Sequence, residues 1–192
     1  RVAEQDGLVA RNVIEWHRLR ASKGNVEDAL AFLSRNSDWP GLPYLRKQSE
    51  SMLETASTQT VLDFFKNDGP QTGAGALAYA LALRQVGQSS KASLVAQNAW
   101  VYFALTSTQH DTLVEVFGQD LASLHELRLI EMLWLDEHSS AQLMMRHVGS
   151  DLQALMRARI ALRTGQGGVT ALINAVPNSV RNHPVLNHAR FE

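Results

Sequence analysis

Three short segments with a shared pattern recur at a fixed interval in the C-terminal half of the sequence. LHELR begins at Leu124, LMRAR at Leu155 and LNHAR at Leu186, so successive copies start 31 residues apart. A short apolar segment precedes each copy. Self-similarity at such a period is typical of proteins in which one helical unit stacks on the next. The repeat therefore predicts an α-solenoid, with looser copies starting near Val26 and Thr60.

Apolar residues at helical spacing continue through nearly the whole chain, and no segment has the alternation typical of strands. Asn25 is the expected N-cap of one helix, and Gly87 is expected to end another. The fold class predicted for residues 1–192 is all-α: one superhelical domain of stacked antiparallel helix pairs that resembles tetratricopeptide proteins. In the better-defined half, the predicted helices cover residues 111–117, 121–136, 140–147, 151–163 and 169–175, with a last helix starting near Pro184.

Charge and composition exclude several classes of function. The chain has 18 basic and 19 acidic side chains, so it lacks the concentrated positive charge of a nucleic-acid-binding protein. It has no cysteine, which excludes disulfides, thiol catalysis and thiolate metal sites. The longest nearly apolar run, residues 74–83, is about half of the ~20 residues that span a membrane. The sequence therefore predicts no nucleic-acid partner and no membrane span.

Two motifs could carry a cofactor or a metal ion, but each has a simpler structural interpretation. GAGALA, at residues 73–78, matches a loose dinucleotide pattern without the strand that such a site needs, so close helix packing explains its glycines better. His125 and Glu126 begin like a zinc-protease helix, but Leu129 stands where the second histidine is required. The other histidines are scattered along the chain. We therefore predict no cofactor, no metal site and no catalytic residue.

The segment SDWPGLPYLRKQSE, residues 37–50, is unusually stiff for the start of a helix. Asp38 is the expected cap, Pro40 suits the first turn, and Trp39 can pack onto the helix that follows. These residues are therefore expected to fix the angle between two helix pairs. Arg46 and Lys47 lie at helical spacing from Glu50, so we expect them to favour the charged form of its carboxyl group.

The arginines of the repeat and the four tryptophans are also interpreted as structural. Arg128, Arg159 and Arg190 are expected to occupy equivalent positions and to bind neighbouring helix ends or carboxylates. Tryptophans can stack on sugars, but helical spacing beside leucine and valine favours core packing here. The four are Trp16, Trp39, Trp100 and Trp134.

Two blocks of the sequence resemble the N-terminal superhelical domain of the soluble lytic murein transglycosylases. NSDWPGLPYLRKQSE resembles the family's Trp-Pro helix entry, with Trp39, Pro40, Leu42, Leu45 and Glu50 in the matching places. The block HELRLIEMLWLDEHSSAQLMMRHVGSDLQALMRARIALRTG resembles the helices that follow later in the same domain. The similarity extends from about residue 13 to the end, and it depends on the order and spacing of the motifs.

The resemblance implies a U-shaped scaffold in a periplasmic enzyme that cleaves peptidoglycan glycan strands to 1,6-anhydro products. In that family the catalytic glutamate lies in a separate lysozyme-like domain, in a Glu-Ser motif followed by Gly-Leu-Met-Gln. Glu50-Ser51 copies the pair, but no Gly-Leu-Met-Gln follows it, so the catalytic role is not transferred to Glu50. The chain is expected to be a fragment without that catalytic domain.

The partners that the resemblance implies are the glycan strands and the linker and catalytic domains of the same parent chain. Two alternatives remain open. The chain could be a tetratricopeptide-like adaptor for a protein or peptide, or a free-standing helical enzyme with an unrecognised carboxylate. A strongly basic inner groove would favour glycan strands, whereas a groove lined by Asn and aromatic residues would favour the adaptor.

Overall fold

A computed structural model describes residues 2–21 and 23–190 of the chain. All the regular structure in these ranges is helical, without a strand, so the all-α prediction is confirmed. None of the helices in the described ranges combines the length and the apolar character that a membrane crossing needs. The α-helices are α1 (Val2–Arg20), α2 (Val26–Arg35), α3 (Leu42–Ser49), α4 (Thr58–Phe64), α5 (Gly73–Gln85), α6 (Ser89–Tyr102), α7 (Ser107–Leu121), α8 (His125–Trp134), α9 (His138–Leu143), α10 (Ser150–Thr164), α11 (Val169–Asn174) and α12 (Pro184–Ala189).

The chain forms two compact units, residues 1–95 and 96–192, and the boundary falls within α6. The prediction of one domain over residues 1–192 stays a prediction. In the first unit, α1, α2 and α3 pack on one another around Leu19, Ala29, Phe32 and Leu45, all of which are fully buried. These apolar side chains are withdrawn from water together, which is the main favourable contribution to folding of this part.

Local capping explains where three helices of the first unit begin and where one of them ends. The Asn25 side chain accepts a hydrogen bond from the Asp28 N–H at 2.8 Å, so the predicted cap of α2 is confirmed. Ser57 caps α4 and Thr72 caps α5 in the same way. Gly87, with φ of 78°, follows the end of α5 as predicted, in a left-handed conformation that glycine adopts without steric cost.

The entry to α3 differs from the sequence prediction. The helix begins at Leu42 with Gly41 at the N-cap, so Asp38 is not its cap and Pro40 lies before its first turn. Trp39 packs edge-on against Phe32 of the preceding helix, with ring centroids 5.7 Å apart. The Trp39 N–H donates to the Asn36 carbonyl at 2.9 Å, which forms a turn between the helices. The prolines and the tryptophan therefore shape the connection from α2 to α3, and only Pro43 lies inside α3.

The second unit is built around α8 and α10. α10 packs against α8, α9, α11 and α12, and its buried side chains include Leu155, Met156 and Ile160. Short 3-10 helices, Ala122–Leu124 and Met144–Arg146, precede α8 and follow α9. The predicted helix over residues 121–136 is therefore shorter than expected, because its first residues form a 3-10 turn instead. Thr106 and Gln109 cap the N-terminus of α7 with a reciprocal capping box.

Candidate functional site

Glu50 is fully buried, and its carboxylate holds the N-terminus of α5. The residue begins the 3-10 helix Glu50–Thr55, directly after α3. Its Oε1 accepts from the Gln71 N–H at 2.8 Å, and its Oε2 accepts from the Thr72 N–H at 2.8 Å and from the Thr72 hydroxyl at 2.6 Å. The hydroxyl oxygen in turn accepts from the Gly75 N–H at 3.1 Å. Both carboxylate oxygens are thus engaged by groups that would otherwise be unpaired at a helix start.

The pKa of Glu50 shifts in the direction opposite to the one predicted. Burial raises the pKa of its carboxyl group, and the hydrogen bonds from Thr72 and Gln71 and the charge of Arg46 offset only part of that effect. The charge of Arg46 favours the charged form, as expected, but desolvation disfavours that form and has the larger effect. A raised pKa suits a general acid, but an enclosed carboxylate with both oxygens occupied has no open path to a substrate.

Gly75 explains why the GAGALA segment needs its second glycine. A Cβ atom added at Gly75 would lie 2.2 Å from Oε2 of Glu50, far inside van der Waals contact. The glycine therefore lets the first turn of α5 approach the carboxylate closely. The anion position at this helix start, which a phosphate would occupy in a dinucleotide site, is filled by the protein's own side chain. The close-packing interpretation is thus confirmed at Gly75.

A shallow cavity of about 320 Å³ lies beside this site, and Glu50 is not part of its lining. Leu33, Leu42 and Pro43 form its apolar side, and Arg46, Asp68 and Gln71 form its polar side. The Arg46 guanidinium donates to the Phe64 carbonyl, stacks 4.3 Å from the Phe64 ring centroid and lies 3.5 Å from an Asp68 oxygen. These contacts within the chain account for the position of Arg46.

Two arginines of the repeat are buried and bind as predicted. Arg128 donates from Nη1 to the carbonyls of Trp100 and Phe103 at the C-terminal end of α6, the second at 3.1 Å. Arg159 lies with Nη2 3.1 Å from Oδ1 of Asp136. Asp136 has φ of 56° in the turn before α9 and also binds Arg163 at 2.8 Å.

The prediction for Arg190 is wrong. This residue is exposed at the end of α12 and donates to the neighbouring Asn187 side chain at 3.1 Å. Arg128 lies in the first turn of α8, Arg159 in the second half of α10, and Arg190 just after α12. The same sequence pattern therefore falls at different depths along three helices of unequal length, and only the first two arginines have a neighbouring helix end or turn that encloses them.

Three histidines surround Trp100, an arrangement that the sequence interpretation missed. The ring centroids of His110, His125 and His147 lie 4.8, 5.4 and 6.1 Å from that of Trp100. His110 and His147 have their Nε2 atoms 3.2 Å apart, and the centroids of His125 and His147 are 4.7 Å apart. These histidines do not share a repeat position, so their spacing in the sequence carries no signal that they meet.

No group of three or more His, Asp or Glu side chains in the described ranges has an arrangement that could hold a metal ion. His125 of the His125-Glu126 motif instead packs beside the rings of Trp100 and His147.

The four tryptophans differ in burial: Trp100 is fully buried, Trp16 and Trp39 are half-buried against the core of the first unit, and Trp134 is 39% exposed. Core packing is therefore correct for three of them. Trp134 instead contacts His188 edge-on, with centroids 5.3 Å apart.

No protein-family model, no curated protein and no solved structure matches this chain.

Proposed function

We propose that this chain is the non-catalytic superhelical scaffold of a periplasmic lytic murein transglycosylase, with its helices stacked as antiparallel pairs. The proposal starts from the two sequence blocks that resemble that family, and the all-helical fold agrees with it. Peptidoglycan glycan strands are the ligand, and the linker and catalytic domains of the parent chain are the other partners. The chemistry takes place in a domain outside residues 1–192.

The environment of Glu50 is the observation that carries the non-catalytic part of the proposal. A lytic transglycosylase needs a carboxylic acid that protonates the glycosidic oxygen and then takes a proton from a sugar hydroxyl. Glu50 is the acidic residue that copies the family's Glu-Ser pair, and its oxygens accept hydrogen bonds from Gln71 and Thr72. Proton transfer to a substrate would require these bonds to break, which would leave the start of α5 without its partners.

The Trp-Pro block supports the scaffold role. Trp39 contacts Phe32 of α2, and Leu42 packs against the same core, which includes Leu45 of α3. The block thus fixes how one helix of the first unit leads into the next, and such fixed connections are what a stack of helices requires. A glycan strand bound along the stack would then contact helices whose relative positions are fixed by packed connections.

Purified murein tests both parts of the proposal. We expect the chain to co-sediment with murein sacculi and to release no 1,6-anhydro muropeptides. Glu50→Gln and the exposed control Glu54→Gln should give the same absence of product. Release that Glu50→Gln abolishes and Glu54→Gln retains would contradict the non-catalytic assignment. Absence of co-sedimentation would contradict glycan binding and leave the peptide-binding adaptor as the better interpretation.

A further inference from the structure

The histidine cluster, defined as His110, His125 and His147, brings together the ends of three segments in the second unit. His110 lies in the first turn of α7, His125 begins α8, and His147 follows the 3-10 helix after α9. Trp100 of α6 contacts all three rings. Imidazole is the side chain whose charge changes most readily between pH 5 and 8. A change of charge here would therefore act on the contacts among four elements at once.

The surroundings of the histidine cluster oppose a positive charge. Arg128 of α8 and Arg146 of the 3-10 helix add two cations near the rings. Among the described residues, the carboxylate whose charge acts on His110 and His147 is that of Asp111 of α7, which is largely exposed and lies 3.5 Å from Arg146. Nδ1 of His110 and Nδ1 of His125 are buried without a hydrogen-bond partner. A proton added to the cluster would thus meet low polarity and more positive than negative charge.

The contact between His110 and His147 requires at least one neutral ring. With Nε2 atoms 3.2 Å apart, one ring can donate an N–H to the other only if the second keeps its lone pair. When both rings carry a proton, the hydrogen bond is replaced by repulsion between two donors. The arrangement is therefore compatible with zero or one charge on this pair and incompatible with two.

We propose that the histidine cluster is a proton-operated switch: the unit of residues 96–192 keeps its packing around Trp100 while the cluster is neutral, and this packing opens when the cluster takes up protons. Opening would also separate Arg128 from the Trp100 and Phe103 carbonyls, because the ring contacts and the guanidinium hold the same end of α6. The switch would thus loosen the end of one helix in response to acid. It does not depend on the proposed glycan-binding function.

The direction of the pH effect follows from the titration of the three imidazoles. Burial lowers the pKa of His110 to about 4, and it also lowers the pKa of His125 and of His147 below the usual value. A group whose pKa is lowered by folding contributes stability above its unfolded pKa and loses it as the pH falls through the folded pKa. The packing should therefore weaken between the ordinary histidine pKa of 6.5 and about pH 4.

The test is a pH series followed by NMR and thermal unfolding. The Cε1–H signals of the histidine cluster should titrate below the ordinary histidine pKa of 6.5. Their titration should coincide with loss of amide protection at the end of α6. Each proton taken up on opening makes the open fraction rise about tenfold per pH unit, so uptake by all three imidazoles gives at most about a thousandfold rise per pH unit.

His147→Gln and His17→Gln form the matched pair of variants. Glutamine can still donate to Nε2 of His110 but does not titrate, so His147→Gln leaves two titrating rings and should reduce the rise to at most about a hundredfold per pH unit. His17→Gln should behave as the unchanged protein. Ordinary pKa values for all three cluster rings in the folded protein, without loss of protection in acid, would overturn the proposal. This NMR result is obtained from the unchanged protein and remains decisive if a variant fails to fold.

Discussion

Glu50 in the first unit and Arg128 in the second are both fully buried charged side chains, and each binds one end of a helix. Glu50 accepts hydrogen bonds from the N–H groups at the start of α5, whereas Arg128 donates to the carbonyls at the end of α6. Helix starts present unpaired N–H groups and partial positive charge, and helix ends present unpaired carbonyls and partial negative charge. Each side chain therefore has the sign of charge that its helix end attracts.

The two sites differ in how fully the buried group is hydrogen-bonded. Both oxygens of Glu50 have partners, but Nε and Nη2 of Arg128 are buried without one. A carboxylate has two acceptor atoms, whereas a guanidinium spreads five N–H donors over a rigid plane, so a few backbone groups satisfy the first more easily. Burial accordingly lowers the pKa of Arg128 to about 10, although it remains charged at neutral pH. The stability of the Glu50 site therefore depends on the close fit between the carboxylate and α5. The stability of the Arg128 site depends on its two hydrogen bonds to the Trp100 and Phe103 carbonyls.

The largest expected loss of stability comes from Gly75→Ala, which removes the space that the Glu50 carboxylate occupies beside α5. In Gly75→Ala the new methyl group would lie 2.2 Å from Oε2 of Glu50, so the carboxylate would have to leave the helix start. We expect the free energy of unfolding to fall by about 3–5 kcal/mol, because packing strain adds to the loss of buried hydrogen bonds. Chemical denaturation measures this change.

Gly118→Ala is the control for that substitution. Gly118 is also within a helix, α7, but a Cβ atom there meets nothing within 4 Å. Because alanine is the better helix former, this variant should be unchanged or stabilised by up to about 1 kcal/mol. If Gly75→Ala were as stable as Gly118→Ala, the close approach between Glu50 and α5 would be wrong.

The next effect tests the arginine site. Arg128→Ala should lower the free energy of unfolding by about 2–4 kcal/mol, since it leaves the Trp100 and Phe103 carbonyls without a donor and opens a gap beside the Trp100 ring. Arg159→Ala should cost less, about 1–2 kcal/mol, because Arg163 still binds Asp136. Arg11→Ala changes an exposed side chain and serves as the control. Equal melting temperatures for the three variants would contradict this order.

The sequence predicted features that depend on neighbouring residues. The cap at Asn25 and the glycine that follows α5 are local signals, since a side chain three residues away or a left-handed backbone position decides them. The binding modes of Arg128 and Arg159 were also predicted correctly, because a buried guanidinium has few possible partners.

The features that the sequence did not predict depend on contacts between distant residues. Glu50 reaches Gln71 and Thr72 across more than twenty residues, and this enclosure, rather than the nearby cations, determines the direction of its pKa shift. The histidine cluster joins positions 110, 125 and 147, which no periodicity connects. For Arg190 the sequence predicted an enclosed site that the structure does not have. A repeated motif does not ensure a repeated environment when the helices differ in length.

The smallest effect concerns the charge of Glu50 and separates it from the shape of its site. Glu50→Gln keeps one acceptor oxygen but places an amide NH₂ among N–H donors, so we expect a loss of about 1–2 kcal/mol at pH 7. Because burial raises the pKa of Glu50, the unchanged protein gains stability from this group below the unfolded value of 4.5 and loses it as the pH rises through the folded pKa. The advantage of glutamate over glutamine should therefore be larger at pH 4 than at pH 7. Melting temperatures of both proteins across this range measure the difference, with Glu54→Gln as the exposed control. An advantage that shrinks in acid would mean that the hydrogen bonds from Gln71 and Thr72 outweigh burial at this site.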